Sequence, residues 1–208
     1  AMRGNVYHGM GMPEEAVKDF TRAIELNMEE RDVHLNRGNA YVAMGDYGRA
    51  VKDFDFAIVL DPKSAGAYYG RANAYGAMGG HTRAIEDYSR ALEISPGFDA
   101  AYNNRGIAYG ITGKLAAAIK DFTKAVELNP GNVTAYNNRG KAYFMAGNHE
   151  PAIRDLDAAV RLDPSYGDAY RNRGLIHSQL GNAEEAAANF KKAKELGAGG
   201  AGGGGGGG

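Results

Sequence analysis

The sequence contains no cysteine, which excludes disulfides, thiolate metal sites and cysteine nucleophiles. No apolar run reaches the roughly 18–20 residues of a membrane span, so no membrane insertion is expected. There is no surplus of either charge: 24 Lys and Arg stand against 25 Asp and Glu, a formal net charge of −1. A non-specific binder of nucleic acid or anionic lipid would carry a basic excess or patch. Local counts agree, since residues 31–64 hold five basic and five acidic side chains. Only the first thirty residues lean one way, with three basic against six acidic. No nucleic-acid partner is expected. The opening AMRGNVYHGM lacks the basic-then-apolar layout of a secretory leader. The compartment stays open, with the cytoplasm slightly favoured. A hydrophobic content of 44% is enough to build a core.

What the chain has is repetition. AYNNRG runs from Ala101 to Gly106 and returns from Ala135 to Gly140, with AYRNRG at Ala169 and VHLNRG at Val33. Cutting every 34 residues gives units 31–64, 65–98, 99–132, 133–166 and 167–198, without insertion or deletion. Residues 1–30 fit as a further unit that lacks its beginning. Fixed slots carry Gly45, Gly79, Gly113 and Gly147, then Ala50, Ala84, Ala118 and Ala152, and Ala57, Ala91, Ala125 and Ala159. Such a period signals stacked supersecondary units.

Each unit reads as two helices. In 99–132, Ala101, Tyr102, Arg105, Gly106, Ala108 and Tyr109 form one stripe at helical spacing. Gly113 ends that helix. Ala118, Ile119, Phe122, Ala125 and Val126 form the second stripe, which the turn residues Asn129-Pro130-Gly131-Asn132 close. Pro13 and Pro151 fall at the start of second helices, where a missing N–H costs little. One unit cannot bury both stripes, so units must stack.

The pattern Tyr102, Gly106, Tyr109, Gly113, Ala118, Phe122, Ala125, Pro130 resembles the tetratricopeptide repeat, with Tyr where that family often has Trp. The resemblance covers residues 1–198. It implies an all-α fold: a right-handed superhelical solenoid of antiparallel helix pairs, whose first helices line a concave groove for a peptide or partner segment. The sequence departs from it at Ala72, which replaces the first Gly of its unit, and at His34, which replaces an aromatic. Met28 and Ala198 stand where Pro would close a unit.

An Arg precedes the first Gly of every unit, or Ala72 in its place: Arg3, Arg37, Arg71, Arg105, Arg139 and Arg173. The family more often has Leu there. The slot lies on the stripe facing the second helix, and a half-buried guanidinium needs a partner. One recurs sixteen residues later, as Asp19, Asp53, Asp87, Asp121 and Asp155, with Asn189 in the last unit. The spacing predicts an Arg–Asp tie within each unit, such as Arg105–Asp121 and Arg139–Asp155. The planar guanidinium suits a bidentate carboxylate contact. The alternative is that the Arg row binds an acidic ligand in the groove.

Catalytic chemistry is not indicated. The five histidines, His8, His34, His81, His149 and His177, give no paired metal-ligand spacing. GIAYGITGK fails the spacing of a phosphate loop and sits on a helix. Glu14-Glu15 and Glu184-Glu185 open second helices, where carboxylates suit the helix dipole. Nine of the thirteen tyrosines fill two core slots, which argues against stacking platforms for bases. Asn132-Val133-Thr134 matches a glycosylation sequon, a pattern common by chance. The chain is read as a non-enzyme with no cofactor.

If the repeated slots are core, the variable slots of the first helices face the groove. Candidate binding residues are Asn36, Asn39, Tyr69, Asn73, Asn103, Asn104, Ile107, Asn137, Asn138, Lys141, Arg171 and Asn172. An Asn amide offers a donor and an acceptor, as a peptide bond does. Asn36, Asn104, Asn138 and Asn172 would form a ladder for an extended backbone, similar to asparagine ladders in the family, with Gly70 interrupting it. The alternative is that these amides solvate the surface or bond the next unit. The carboxylate clamp that some family members use for chaperone tails is not matched: Gly70 follows Asn39, and no Lys/Arg pair follows Asn73 and Asn104. Lys141 and Arg171 favour an acidic residue in a ligand.

The ends invite a second expectation. Phe190, Ala193 and Leu196 would leave apolar surface bare, so end-to-end contacts between copies are expected. Residues 199–208 are nearly all Gly and form no part of the folded domain; an extended segment lying in a groove is one place for them. The leading function is a protein–protein interaction scaffold that binds an extended segment. The alternatives are a self-assembling structural module and the recognition arm of a larger enzyme.

Overall fold

The computed structural model describes residues 2–26 and 31–198, apart from the side chains of Met2, Asn5 and His8. The Gly-rich tail and Met28 lie outside the described residues. Among the described residues there are twelve α-helices and no strand. The chain forms two compact units, Ala1–Lys114 and Leu115–Gly208. The division falls inside the repeat 99–132, between its two helices.

The first unit holds α1 (Met2–Gly9), α2 (Pro13–Glu25), α3 (Arg31–Ala43), α4 (Tyr47–Leu60), α5 (Ala65–Ala77), α6 (His81–Ile94) and α7 (Asp99–Ile111). The second holds α8 (Leu115–Leu128), α9 (Val133–Met145), α10 (His149–Leu162), α11 (Gly167–Gln179) and α12 (Ala183–Glu195). Within each unit consecutive helices pack on one another, and first helices also meet their like: α3 with α5, α5 with α7, α9 with α11. This is the all-α solenoid of helix pairs that the sequence predicts.

The helix ends follow local chemistry. Gly45, Gly79 and Gly147 each follow a first helix at φ of 74°, 79° and 78°, a left-handed conformation that other residues adopt at a cost. Ser64 and Asn132 cap α5 and α9, accepting from the Ala67 and Ala135 amides. The sequon Asn132 is therefore used as a cap. Pro13 opens α2, and Glu14, Glu15, Glu184 and Glu185 lie in first turns. Pro151 is the third residue of α10 rather than its first, still within the turn whose amides need no helical partner.

The cores are small residues set against rings. In the first unit Ala16, Phe20, Ala23, Val33 and Ala40 form one cluster, and Ala72, Ala84, Tyr88, Leu92 and Ala101 another. The second unit buries Ala152, Leu156, Ala159, Ala169 and Ile176. The Gly beside Arg3, Arg37 and Arg173 lies under the ring sixteen residues on, and Gly140 beside Arg139 lies against Leu156. A Cβ built at Gly38 would stand 2.8 Å from Phe54, and at Gly174 2.7 Å from Phe190. Only Gly fits there while the ring stays in place. Ala72 meets Tyr88 in the same slot without a Gly. At α12, Ala193 is buried rather than bare, Leu196 is half-buried, and Phe190 is 37% exposed.

The Arg row is a tie. Arg3, Arg37, Arg71 and Arg139 each donate from Nε and Nη2 to the two oxygens of Asp19, Asp53, Asp87 and Asp155, at 2.5–2.8 Å. Arg173 donates to Asn189 at 2.7 Å. Guanidinium heads of this row also lie against the tyrosine three residues earlier, as in Arg71 over Tyr68 at 5.6 Å and Arg173 over Tyr170 at 5.3 Å. These heads are engaged with the second helices, which removes the acidic-ligand alternative for them.

A third contact was not foreseen from the sequence. Nη1 reaches back sixteen residues to the second helix of the preceding repeat: Arg37 to Thr21 at 3.0 Å, Arg71 to Asp55 at 2.6 Å, and Arg105 to Ser89 at 2.9 Å. In the second unit Arg139 reaches Thr123 at 3.3 Å and Arg173 reaches Asp157 at 2.5 Å. One side chain thus joins its own helix pair and fastens that pair to the previous one.

Candidate peptide-binding surface

In the first unit the variable slots of α3, α5 and α7 carry Asn36, Asn39, Tyr69, Asn73 and Asn104, all half-buried, and Ile107, which is 39% exposed. Asn103 is buried at 8% exposure. In the second unit α9 and α11 carry Asn138 and Asn172, half-buried, with Lys141 and Arg171 exposed. Asn137 is buried at 6%. Asn103 and Asn137 therefore support the surface from beneath.

The amides of α5 and α7 form one network. Asn104 donates from Nδ2 to Tyr69 Oη at 3.0 Å and to Asn73 Oδ1 at 3.1 Å. Asn103 donates to Asn104 Oδ1 at 3.2 Å, and Tyr88 donates from its hydroxyl to Asn73 Oδ1 at 2.6 Å. Both hydrogens of Asn104 are thereby used within the protein. In the second unit Asn172 donates to Asn137 Oδ1 at 2.9 Å, an equivalent rung between neighbouring first helices. Among the described residues nothing accepts from Asn73 Nδ2. Burial pushes the Tyr88 phenol well above its usual range, the neighbouring Tyr69 adds to this, and the Asn104 contact opposes it. Tyr88 is a neutral donor at any physiological pH.

Tyr69 is packed as well as polar. Its ring lies 4.6 Å from Phe98 and 5.8 Å from Tyr88 between centroids. Gly70, which interrupts the Asn series, is buried, and a Cβ there would stand 2.5 Å from Phe54. The interruption has a packing cause: the slot that holds Asn104 in the next repeat is closed by a ring.

Beside the network a cleft of about 200 Å³ opens between α5, α6 and α7. Its walls are mostly apolar, from Ala77, Ala84, Ala108, Ile107 and Ile111, with Asn73, Asn104, Tyr88 and His81 also in the lining. Sequence reasoning named Asn73, Asn104 and Ile107 but missed His81, Tyr88 and the cleft. The signal available was Gly76, a residue without a side chain in a slot that carries Val42, Phe144 and Ser178 in other repeats and Gly110 in the next one.

Among the described residues no helix is long and apolar enough to cross a membrane. No curated protein matches the chain significantly. Among solved structures it is similar to YrrB, described as "a TPR protein with an unusual peptide-binding site", at 27% identity and a TM-score of 0.71, covering 85% of this chain and 91% of that one. It is similar to MamA at 26% identity and a TM-score of 0.71, covering 76% and 93%. A MamA fragment from Desulfovibrio magneticus RS-1 shares the fold at 20% identity and a TM-score of 0.75, covering 80% and 94%. Tetratricopeptide repeat models match residues 65–98 and 100–132, 122–154, 139–201 and 1–28, and a TPR repeat model matches 38–79. With helix pairs in the same 34-residue register along the described chain, it belongs to the tetratricopeptide repeat family, whose fold commonly serves protein–protein interaction.

Proposed function

We propose that the chain is an interaction scaffold that holds an extended peptide or partner segment on the first-helix faces of its repeats. The observation that supports this best is the cleft between α5 and α7. It joins apolar walls to a fixed amide network and leaves Asn73 Nδ2 as an unspent donor for a backbone carbonyl. Lys141 on α9 and Arg171 on α11 add exposed cationic contacts in the second unit. The peptide-binding site named for YrrB, at 27% identity, supports the same reading.

The test is selection of binders from a random peptide library by the pure protein, followed by mapping of bound peptides through amide chemical shifts. Shifts confined to α3, α5, α7, α9 and α11 are the expected result. Shifts confined to second helices, or no enriched peptide at all, would overturn the reading.

Self-association is a second reading with its own support. Helix α4 leaves Phe56, Val59 and Leu60 exposed at 51%, 76% and 43%. Their i, i+3, i+4 spacing puts them on one face. Sedimentation over a range of concentrations, with Val59→Lys beside the wild type, tests it: a mass that rises for the wild type and not for the variant is expected.

A further inference from the structure

The two units solve one packing position in different ways. In the second unit Phe144 of α9 packs on the cluster of Ala152, Leu156 and Ile176, and its ring lies 5.7 Å from that of His149. Sixty-eight residues earlier, two repeats back, the matching positions are Gly76, Ala84, Tyr88, Ala108 and His81. All five line the open cleft of the first unit. The place that a phenyl ring fills at Phe144 is bare in the repeat of α5 and α6, because Gly76 has no side chain. A Cβ at Gly76 would meet nothing closer than Ala84 Cβ at 4.0 Å, an ordinary contact. Ile176 is also reduced to Ala108, which widens the space.

Resting on the scaffold reading above, we infer that this cleft is a pocket for one aromatic side chain, of the phenylalanine kind, carried by the bound segment. The ring lies against His81 as Phe144 lies against His149. Three observations favour that occupant. The volume of about 200 Å³ exceeds the roughly 150 Å³ cavity that holds benzene in a protein core. No carboxylate, ammonium or guanidinium lines the cleft, so a charged side chain would be desolvated there without a partner. Asn73, which spends its Oδ1 on Tyr88 and Asn104, lines the cleft and offers its Nδ2 to the main-chain carbonyl of the same residue.

The probe is N-acetyl-phenylalanine methylamide, a ring with one peptide group on each side, read by amide chemical shifts of the full chain. It is expected to shift Gly76, Ala77, Ala84, Ala108 and Ile111, with dissociation constants in the range of about 1–10 mM for so small a ligand. N-acetyl-aspartate methylamide should leave them in place. Gly76→Phe copies the Phe144 arrangement, keeps the fold, and should weaken the probe by at least about tenfold. Phe144→Gly should open a second site that shifts Ala152 and Ile176.

Shifts that are absent, equal for the aspartate probe, or unchanged in Gly76→Phe would overturn the inference. If library peptides bind first helices while the phenylalanine probe leaves Gly76 untouched, the pocket falls and the scaffold stands. If the probe binds and Gly76→Phe abolishes it while no library peptide is enriched, the pocket stands and the scaffold falls.

Discussion

Arg139 holds Asp155 through two parallel hydrogen bonds, Nε to Oδ2 and Nη2 to Oδ1, both 2.7 Å. Asp155 is 6% exposed, and it raises the affinity of the guanidinium for its proton. Removing one partner strands the other. Arg139→Met is therefore expected to destabilise the second unit by about 2–4 kcal/mol, most of it the cost of a buried unpaired carboxylate. Replacing both, as Arg139→Met with Asp155→Leu, should recover all but about 1 kcal/mol. Urea midpoints by circular dichroism decide it: a double variant as unstable as the single would mean that the pair itself, not the stranded charge, carries the effect.

The outer contact of the same arginines grades the joints between repeats. Arg71 meets Asp55 and Arg173 meets Asp157, whereas Arg37, Arg105 and Arg139 meet Thr21, Ser89 and Thr123. Ser89→Asp would turn a hydroxyl joint into a charged one. The site is partly solvated, so the gain is expected at about 0.5–1 kcal/mol, and Asp55→Thr should lose a similar amount. Both changes should shrink in about 1 M salt, where exposed pairs are screened. Equal midpoints for Ser89→Asp and wild type at low salt would count against a graded stack.

The sequence made the inner tie legible because both partners recur: a slot that is Arg in every repeat and a slot sixteen residues on that is Asp in five. The outer contact was hidden because Thr21, Asp55, Ser89, Thr123 and Asp157 share an ability to accept a hydrogen bond, not an identity. The repeat pattern likewise placed Asn104 and Asn172 on first helices, but could not say that their donors are taken by Tyr69, Asn73 and Asn137. Adjacent positions on a helix differ by about 100° around the axis. That turn carries Asn103 and Asn137 under the surface while Asn104 and Asn138 stay half-buried. The cleft at Gly76 was least visible, since it exists where side-chain volume is missing, and volume is judged only against neighbours from three helices.

Gly70 shows why the Asn series is broken. An added Cβ would stand 2.5 Å from Phe54 Cζ, so Gly70→Ala is expected to cost about 1–3 kcal/mol by overpacking, outweighing the roughly 1 kcal/mol that Ala gains over Gly in a helix. Phe54→Leu places in the first unit the residue that Leu156 supplies at the matching slot of the second. In that background Gly70→Ala should become neutral or stabilising. Thermal unfolding of the four proteins forms the cycle, and a penalty that persists unchanged in the Phe54→Leu background would place the clash somewhere other than the ring.

Tyr88 should give the first unit a falling stability on the alkaline side. Its phenol is raised by burial above the value of about 10 that an unfolded tyrosine has. Below that pH both states keep the proton, and the contribution is fully present. As pH rises past about 10 the unfolded chain ionises while the folded one does not, so the unfolded state binds fewer protons and stability declines. Tyr88→Phe removes this titration together with the hydroxyl that donates to Asn73 at 2.6 Å. The variant should lose about 1 kcal/mol at neutral pH from the missing hydrogen bond and then show a shallower decline between about pH 10 and 11. Urea midpoints measured across that interval separate the two effects: parallel curves for wild type and variant would mean that the buried phenol ionises as readily as an exposed one.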